Sequence, residues 1–387
     1  MDFELSEEQK LFRETIRRFV DKEIRPVAHK WEQEGRYPTE IVEVMKAMGL
    51  FGITIPEEFG GMDADMVSLA ILFEELSRGW MGVAGILGSH SLASWMIVHH
   101  GTDEQKQRFL SELATGDRRT AIALTEANAG TDLQAINTRA WREGDEYVIS
   151  GSKIWITNAR HANPLPVLVK TDAKATPRHR GMSVLLVEQG TPGLVISRDM
   201  PKLGYKGPES TEVLLNEVRV PSKNLLGGEE GRGLQQVLSS LEIGRINVAA
   251  RSVGIAQEAY DQAREYAGER HAFGQPIANF QAIQLKLAEM ATNTQAARLL
   301  TWWAASRADS GVRVDLEAGM AKWFSSEIAI QNSLDSMRIH GGMGYSTELG
   351  VERLYRDAPL MSIGEGTNDM MKMIIAKGLI EGRVIID

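Results

Sequence analysis

A single carboxylate, Glu365, stands between Gly364 and Gly366 near the end of this chain. Thr367 follows as a helix N-cap, its hydroxyl free to take an orphan backbone N–H. From Asn368 the apolar Met371, Ile374, Ile375 and Leu379 recur at helical spacing. The pattern puts Glu365 on a tight turn that opens a helix, with small neighbours that let a substrate reach the carboxylate and its backbone N–H. Such a carboxylate can act as a general base; the plain alternative is a surface acid favoured by a helix N-terminus. Two further motifs, Leu124-Thr-Glu-Ala-Asn-Ala-Gly-Thr-Asp132 and Lys153-Ile-Trp-Ile-Thr-Asn158, each close a strand-like run. Their Thr125, Trp155 and Thr157 could hold a flat heteroaromatic ring by stacking and edge hydrogen bonds, or be turn residues beside a core tryptophan. Arg270-His-Ala-Phe-Gly274 and Arg338-Ile-His-Gly-Gly-Met-Gly344 each set a cation beside helix-breaking glycines. Phosphate is readily bound in such places, and a solvated arginine is the alternative.

The elements that must position these residues fall into three groups. Residues 1 to about 116 read as helical. A capping box at Ser6 to Gln9 precedes Leu11, Phe12, Ile16, Phe19, Val20 and Ile24 on one face, and Pro26 bends or interrupts that helix. Further helices are predicted over about 39–49, 65–78 and 86–100, with another capped by Thr102 to Gln105. Near Arg119 the period changes to short β-branched runs at 120–126, 147–150, 154–157, 182–188, 194–196 and 212–216, which predict an antiparallel sandwich or barrel. Residues 163–169 carry Pro164 and Pro166 and fit only a strand start or an edge. Helical spacing then returns near 233–268, 278–309, 314–341 and 368–382. The expected fold is therefore mainly α with a central β domain: an N-terminal helical domain over 1–118, a β domain over 119–227 and a four-helix bundle over 228–387.

Composition removes several function classes. The 387 residues are 43% hydrophobic and 25% charged, as in ordinary soluble globular proteins. A net charge of −9 with no basic stripe argues against nucleic-acid binding. The absence of cysteine rules out disulfides and thiol catalysis and suits a reducing, cytoplasmic setting. No signal-peptide pattern opens the sequence. Trp80 to Val98 lacks charged side chains, but its glycines and serines predict a buried helix rather than a membrane span. The eight histidines show no metal-ligand spacing, so no metal is expected, and no dinucleotide fingerprint, P-loop, HExxH or GxSxG occurs.

In order and spacing the motifs resemble the acyl-CoA dehydrogenase family across essentially the whole chain. The resemblance rests on Leu124-Thr-Glu with Ala129-Gly-Thr-Asp132, Trp155-Ile-Thr-Asn158, Arg270 with Phe273-Gly274, Gly341-Gly-Met-Gly344 and Glu365-Gly-Thr367. It implies an FAD enzyme of β-oxidation type that converts an acyl-CoA thioester to its trans-2-enoyl-CoA. Glu365 would remove the α-proton while the β-hydrogen leaves as hydride to flavin N5. The thioester carbonyl would be polarised by the Glu365 backbone N–H and a ribityl hydroxyl, and burial should raise the Glu365 pKa toward working pH.

By the same resemblance Leu124, Thr125, Thr131, Trp155, Thr157 and Thr367 contact FAD. Arg270, Phe273, Gln281 and Gly342 would reach the FAD of a neighbouring subunit, which implies a homotetramer built as a dimer of dimers. Arg338 stands where the family usually has glutamine and could bond the FAD pyrophosphate. Thr131, Glu242, Arg245 and Gly366 would contact acyl-CoA. Electrons would pass to electron-transferring flavoprotein; the alternatives are an oxygen-using oxidase or monooxygenase on the same fold, or a non-enzymatic flavin-binding module.

Some family members carry the base on the residue before Arg245, here Gly244, and a glycine there is common among enzymes for short or branched chains. Ala84, Gly85 and Gly88 lie where the pocket floor is expected, which predicts a roomy floor. No lysine or arginine occurs from Gly79 to His100. Nothing in that helix would pair with a dicarboxylate tail, which weighs against a decarboxylating glutaryl-CoA type.

Overall fold

Residues 4–383 are described by the computed structural model. Helix α1 (Glu7–Phe19) opens with the expected capping box, Ser6 and Gln9 exchanging backbone-to-side-chain hydrogen bonds at 3.1 Å. It does not stop before Pro26. A π-helical turn, Val20–Ile24, carries the chain into α2 (Arg25–Gln33), so the missing proline N–H falls in the first turn of the new helix, where no partner is needed. Helix α3 (Thr39–Ala47) ends two residues before Gly49, whose φ of 72° is left-handed.

The helices expected over 65–78 and 86–100 are one long element, α4 (Met66–His100), interrupted only where Trp80 leaves helical geometry. Its glycines serve packing rather than termination. A Cβ on Gly79 would lie 2.6 Å from Val20 Cγ1, and one on Gly82 would lie 2.9 Å from the Lys206 carbonyl. Although α4 is long and apolar enough to cross a membrane, 83% of its apolar window is buried inside the protein. Charge also fastens it. Glu74 and Glu75 lie buried among Arg13, Arg17, Arg78 and Arg298. Burial alone would raise the Glu75 carboxyl, but Arg17, Arg78 and Arg13 outweigh it and hold it at about 2. Helix α5 (Asp103–Thr115) completes this part, opened by the Thr102–Gln105 capping box.

The central strands are β1 (Arg139–Glu143), β2 (Glu146–Thr157), β3 (Leu165–Lys170), β4 (Met182–Val187), β5 (Leu194–Asp199) and β6 (Ser210–Pro221). They form one six-stranded sheet in the order β4-β3-β1-β2-β6-β5 rather than two facing sheets. All pairings are antiparallel except the short one between β1 and β3. One expectation needs correction. Residues 120–126 are not a regular strand but an extended segment laid between β3 and β2, with Ala123 bridging Val167 and the Ile154 N–H donating to the Thr125 carbonyl. Of the two places expected for the prolines, a strand start or an edge, β3 shows the first, since it is internal to the sheet. It tolerates Pro164 and Pro166 because both fall at its start, where the Pro166 carbonyl still accepts the Ala123 N–H.

The chain then returns to helices: α6 (Gly233–Glu269), α7 (Gln281–Asp309), α8 (Asp315–His340), the short α9 (Gly342–Tyr345), α10 (Val351–Ile363) and α11 (Asn368–Ile380). A two-stranded hairpin, β7 (His271–Ala272) and β8 (Gln275–Pro276), joins α6 to α7. Helix α10 escapes the sequence pattern because Pro359 lies inside it. The loop 200–209 wedges between all three parts. Its Gly207 faces Trp80 of α4, its Gly204 abuts the Arg356 carbonyl of α10, and the Tyr205 N–H donates to Asp357 Oδ1 at 2.6 Å.

Candidate active site

Glu365 occupies the link between α10 and α11. Its φ is 54° and that of Gly366 is 95°, so the chain reverses through two left-handed residues in succession. Thr367 closes the turn as the N-cap, accepting from the Met370 N–H at 3.4 Å. Lys322 of α8 pins the turn from below. Fully buried, it donates to the Gly366 carbonyl at 2.7 Å and to Asn368 Oδ1 at 2.9 Å, and burial holds its ammonium down at about 8. Asn368 in turn donates to Ser326 Oγ and Glu327 Oε1.

The Glu365 side chain keeps 20% of its surface open, yet its Oε2 is buried without a hydrogen-bond partner. That oxygen faces Gly244 of α6, where an added Cβ would stand only 1.9 Å away. The sequence-based expectation placed Gly244 beside Glu365, and the structure does bring the two segments together. Oε1 lies 3.7 Å from Arg251 Nη2. Burial pushes the Glu365 carboxyl up, and Arg251, Lys322 and Arg245 pull it back without cancelling the rise. On the same stretch of α6, Arg245 is buried with no partner for its Nε, and burial pushes its guanidinium down. Glu242, 3.9 Å from Arg313 Nε, is raised by burial and by Asp315.

Across from Glu365 lies the end of β2. Register slips between Lys153 and Ile156, and in that bulge Trp155 takes a φ of 62° and leaves 51% of its surface exposed. The neighbouring segment is clamped beside it. Buried Lys153 donates to the Leu124 carbonyl and to Glu126 Oε1, both at 2.9 Å, while Glu126 accepts the Thr138 N–H. Thr125 and Trp155 therefore reach the same sheet end, with Thr157 two residues on. An exposed indole held in a strained backbone between hydroxyls fits a large flat ring such as a flavin. Thr131 lies exposed in the following loop.

Tyr205 bridges the two sides. Burial raises its phenol, and Arg251 and Thr157 pull it down. The roomy floor expected at Gly85 and Gly88 is filled instead. A Cβ on Gly85 would fall 1.8 Å from the Tyr205 hydroxyl, and one on Gly88 would fall 2.9 Å from Asn247 Nδ2. Ala84 belongs to the helical core.

Arg270, Phe273, Gln281, Arg338 and Gly342 lie elsewhere, all exposed, where α6 ends, α7 begins and α8 ends. Arg270 lies 26 residues beyond Gly244, about 39 Å along the helix axis. One chain therefore cannot bring this group to its own Glu365. Arg338 donates to Asp335 Oδ1 at 3.3 Å. Phe273 and Gly274 have φ of 51° and 81°, as a type I′ hairpin turn requires, and Phe273 is 96% exposed. Among the described residues no group of His, Asp or Glu is placed to hold a metal.

Family models agree along the length of the chain. The acyl-CoA dehydrogenase N-terminal, middle and C-terminal domains match residues 6–117, 121–218 and 231–380. The chain belongs to the acyl-CoA dehydrogenase family. It is thus an oxidoreductase, in a family of FAD-dependent flavoproteins that dehydrogenate acyl-CoA. It is 43% identical to a probable acyl-CoA dehydrogenase, YngJ, of Bacillus subtilis, over 98% of this chain and 100% of that one. A 3-(aryl)acrylate reductase of Clostridium sporogenes is 41% identical over 97% of this chain and 99% of its own. The structure of butyryl-CoA dehydrogenase from Megasphaera elsdenii superposes with a TM-score of 0.95 at 35% identity, covering 98% and 100% of the two chains.

Sequence reasoning missed Tyr205, Asn247, Arg251 and Lys322. A signal existed for two of them, since Arg251 and Lys322 interrupt otherwise small or apolar helix faces (Val248 to Ile255; Ala318 to Ala321).

Proposed function

We propose that the protein dehydrogenates an acyl-CoA thioester to the trans-2-enoyl-CoA, with Glu365 as the base for the α-proton. The observation that carries this reading is the buried, unpartnered Glu365 Oε2, aimed into the space left by Gly244. A raised carboxyl is suited to that task, because it holds a proton more firmly than an ordinary acid once it has taken one. The left-handed turn presents the Glu365 N–H together with its side chain, so both can meet the thioester carbonyl and its α-carbon. Lys322 keeps that turn fixed, which preserves the alignment on which proton transfer depends.

FAD, when bound, supplies the acceptor for the β-hydrogen and its electron pair. Leu124, Thr125, Thr131, Trp155, Thr157 and Thr367 would hold its ring beside Glu365. Glu242, Arg245 and Gly366, with Thr131, would line the thioester path. Arg270, Phe273, Gln281, Arg338 and Gly342 would serve the FAD of a second copy in a homotetramer, and the length of α6 supports that division. Electron-transferring flavoprotein would take the electrons; rapid reoxidation of the substrate-reduced enzyme by air would point to an oxidase instead.

Anaerobic titration of the yellow enzyme with acyl-CoA tests the base. Glu365→Gln keeps the shape of the side chain, so it should retain FAD and bind substrate while bleaching slows by about 1,000-fold or more. Bleaching at a near-normal rate would remove Glu365 from the role.

A further inference from the structure

Arg251 has no adequate partner. It is 6% exposed, its Nε has no hydrogen-bond partner, and the sole acid within 4 Å among the described residues is Glu365, reached at 3.7 Å by one nitrogen. That separation is too long for a hydrogen bond. A guanidinium offers a planar fork of five donors that a carboxylate satisfies in pairs. Two other arginines, buried Arg298 and half-buried Arg25, obtain such partners, whereas Arg245 and Arg353 also keep an unpartnered Nε. Arg298 bonds Glu74, Gln295 and Gln257, and Arg25 takes both oxygens of Glu258 at 2.6 Å.

Nor can Glu365 serve as its permanent counter-charge. On the reading above, Glu365 becomes neutral when it accepts the α-proton, and Arg251 would then stand charged and unpaired in a dry pocket. Its neighbours are also polar and under-used. Asn247, one turn earlier on the same face of α6, is buried with an unpartnered Oδ1, and the Tyr205 hydroxyl lies beside Arg251. A plain hydrocarbon chain laid here would leave all of these bonds unmade.

We propose that this site selects a short acyl chain whose far end is a carboxylate, received by Arg251 with Tyr205 and Asn247 beside it. The substrate class is therefore a dicarboxylic acid carried as its mono-CoA thioester. The chain must be short because Arg251 and the reacting α-carbon both approach the same Glu365 carboxylate. The space over Gly85 and Gly88 is also already filled. The cation that α4 does not supply comes from α6. The α-proton goes to Glu365, the β-hydrogen leaves with its electron pair to the flavin, a carbon–carbon double bond forms, and the distal carboxylate is unchanged by this step. The assignment rests on the acyl-CoA dehydrogenase reading.

The experiment compares flavin reduction and kcat/KM on succinyl- and glutaryl-CoA with those on butyryl- and valeryl-CoA. The comparison uses the FAD-loaded wild type, Arg251→Gln and Arg251→Lys. Wild type should prefer one diacid over its neutral counterpart by about 100-fold. Arg251→Gln should collapse that ratio toward parity, mainly through the KM of the diacid. Arg251→Lys, which keeps the charge without the fork, should hold an intermediate ratio. A merely structural Arg251 would slow all four substrates alike and leave the ratio intact, and that result overturns the assignment. Wild type that favours the neutral chains overturns it too, without recourse to any variant. Failure of all four thioesters and of longer neutral chains to bleach the flavin would instead sink the dehydrogenase reading itself.

Discussion

An alanine at position 244 would put its methyl group 1.9 Å from Glu365 Oε2, with Leu92 Cδ1 at 3.2 Å on another side. Gly244→Ala should therefore displace the carboxylate, and substrate-driven flavin reduction should fall while the protein loses about 1–3 kcal/mol to overpacking. The reciprocal exchange resolves the clash. Glu365→Gly suits the left-handed turn, whose φ is 54°, and it vacates the volume that Gly244→Glu needs. The single Glu365→Gly variant should be nearly inactive, and the double variant should recover measurable turnover below wild type. A folded, flavin-loaded double variant no faster than the single would show that position 244 does not face the reacting carbon. The glycine and the glutamate could each be singled out in the sequence. That the space beside the glycine already holds the carboxylate could not, because 121 residues separate them and only the packing of α6 against the turn joins them.

At the scale of elements, the catalytic turn depends on α8. Lys322→Met would keep much of the side-chain length but strand the Gly366 carbonyl and leave Asn368 Oδ1 with Ser326 Oγ alone. A loss of about 2–3 kcal/mol is expected, visible as a lower Tm. Activity should fall further than stability explains, since Gly366 adjoins the base. An unchanged melting temperature would mean that the turn is held by its caps alone. The helices and their caps were legible because Ser6, Thr102 and Thr367 announce them locally. What failed were features set by distant partners. Trp80 breaks α4 where the loop 200–209 packs against it, Pro359 hides α10, and residues 120–126 take their hydrogen bonds from two strands without becoming one. Arg251 and Lys322 stood in plain view as charges on apolar faces, but their meaning depends on what the fold sets opposite them.

At the scale of the molecule, α6 separates two groups of residues that the resemblance assigns to FAD. On the proposed reading, with Arg270 just past the end of α6 and 26 residues beyond Gly244, a complete cofactor site would need a second copy. Arg270→Ala should then purify with substoichiometric FAD and a lower Tm that added FAD partly restores, because a ligand bound to the native state stabilises it by mass action. Full flavin content with unchanged melting would make Arg270 a surface cation. On the same reading the exposed Phe273 at the hairpin tip would lie at that junction.

The loop 200–209 has a consequence of its own. Tyr205 fills the space over Gly85 from a segment that belongs to neither helix of the pocket wall. On the proposed reading, the reach of the acyl site is therefore set from a connecting loop, apart from the crossing of α4 and α6. A single substitution at Tyr205 would then lengthen or shorten the chain that fits, while the glycines at which the helices pack closely are left untouched. Substrate length and scaffold packing would thus be adjustable in different parts of the chain.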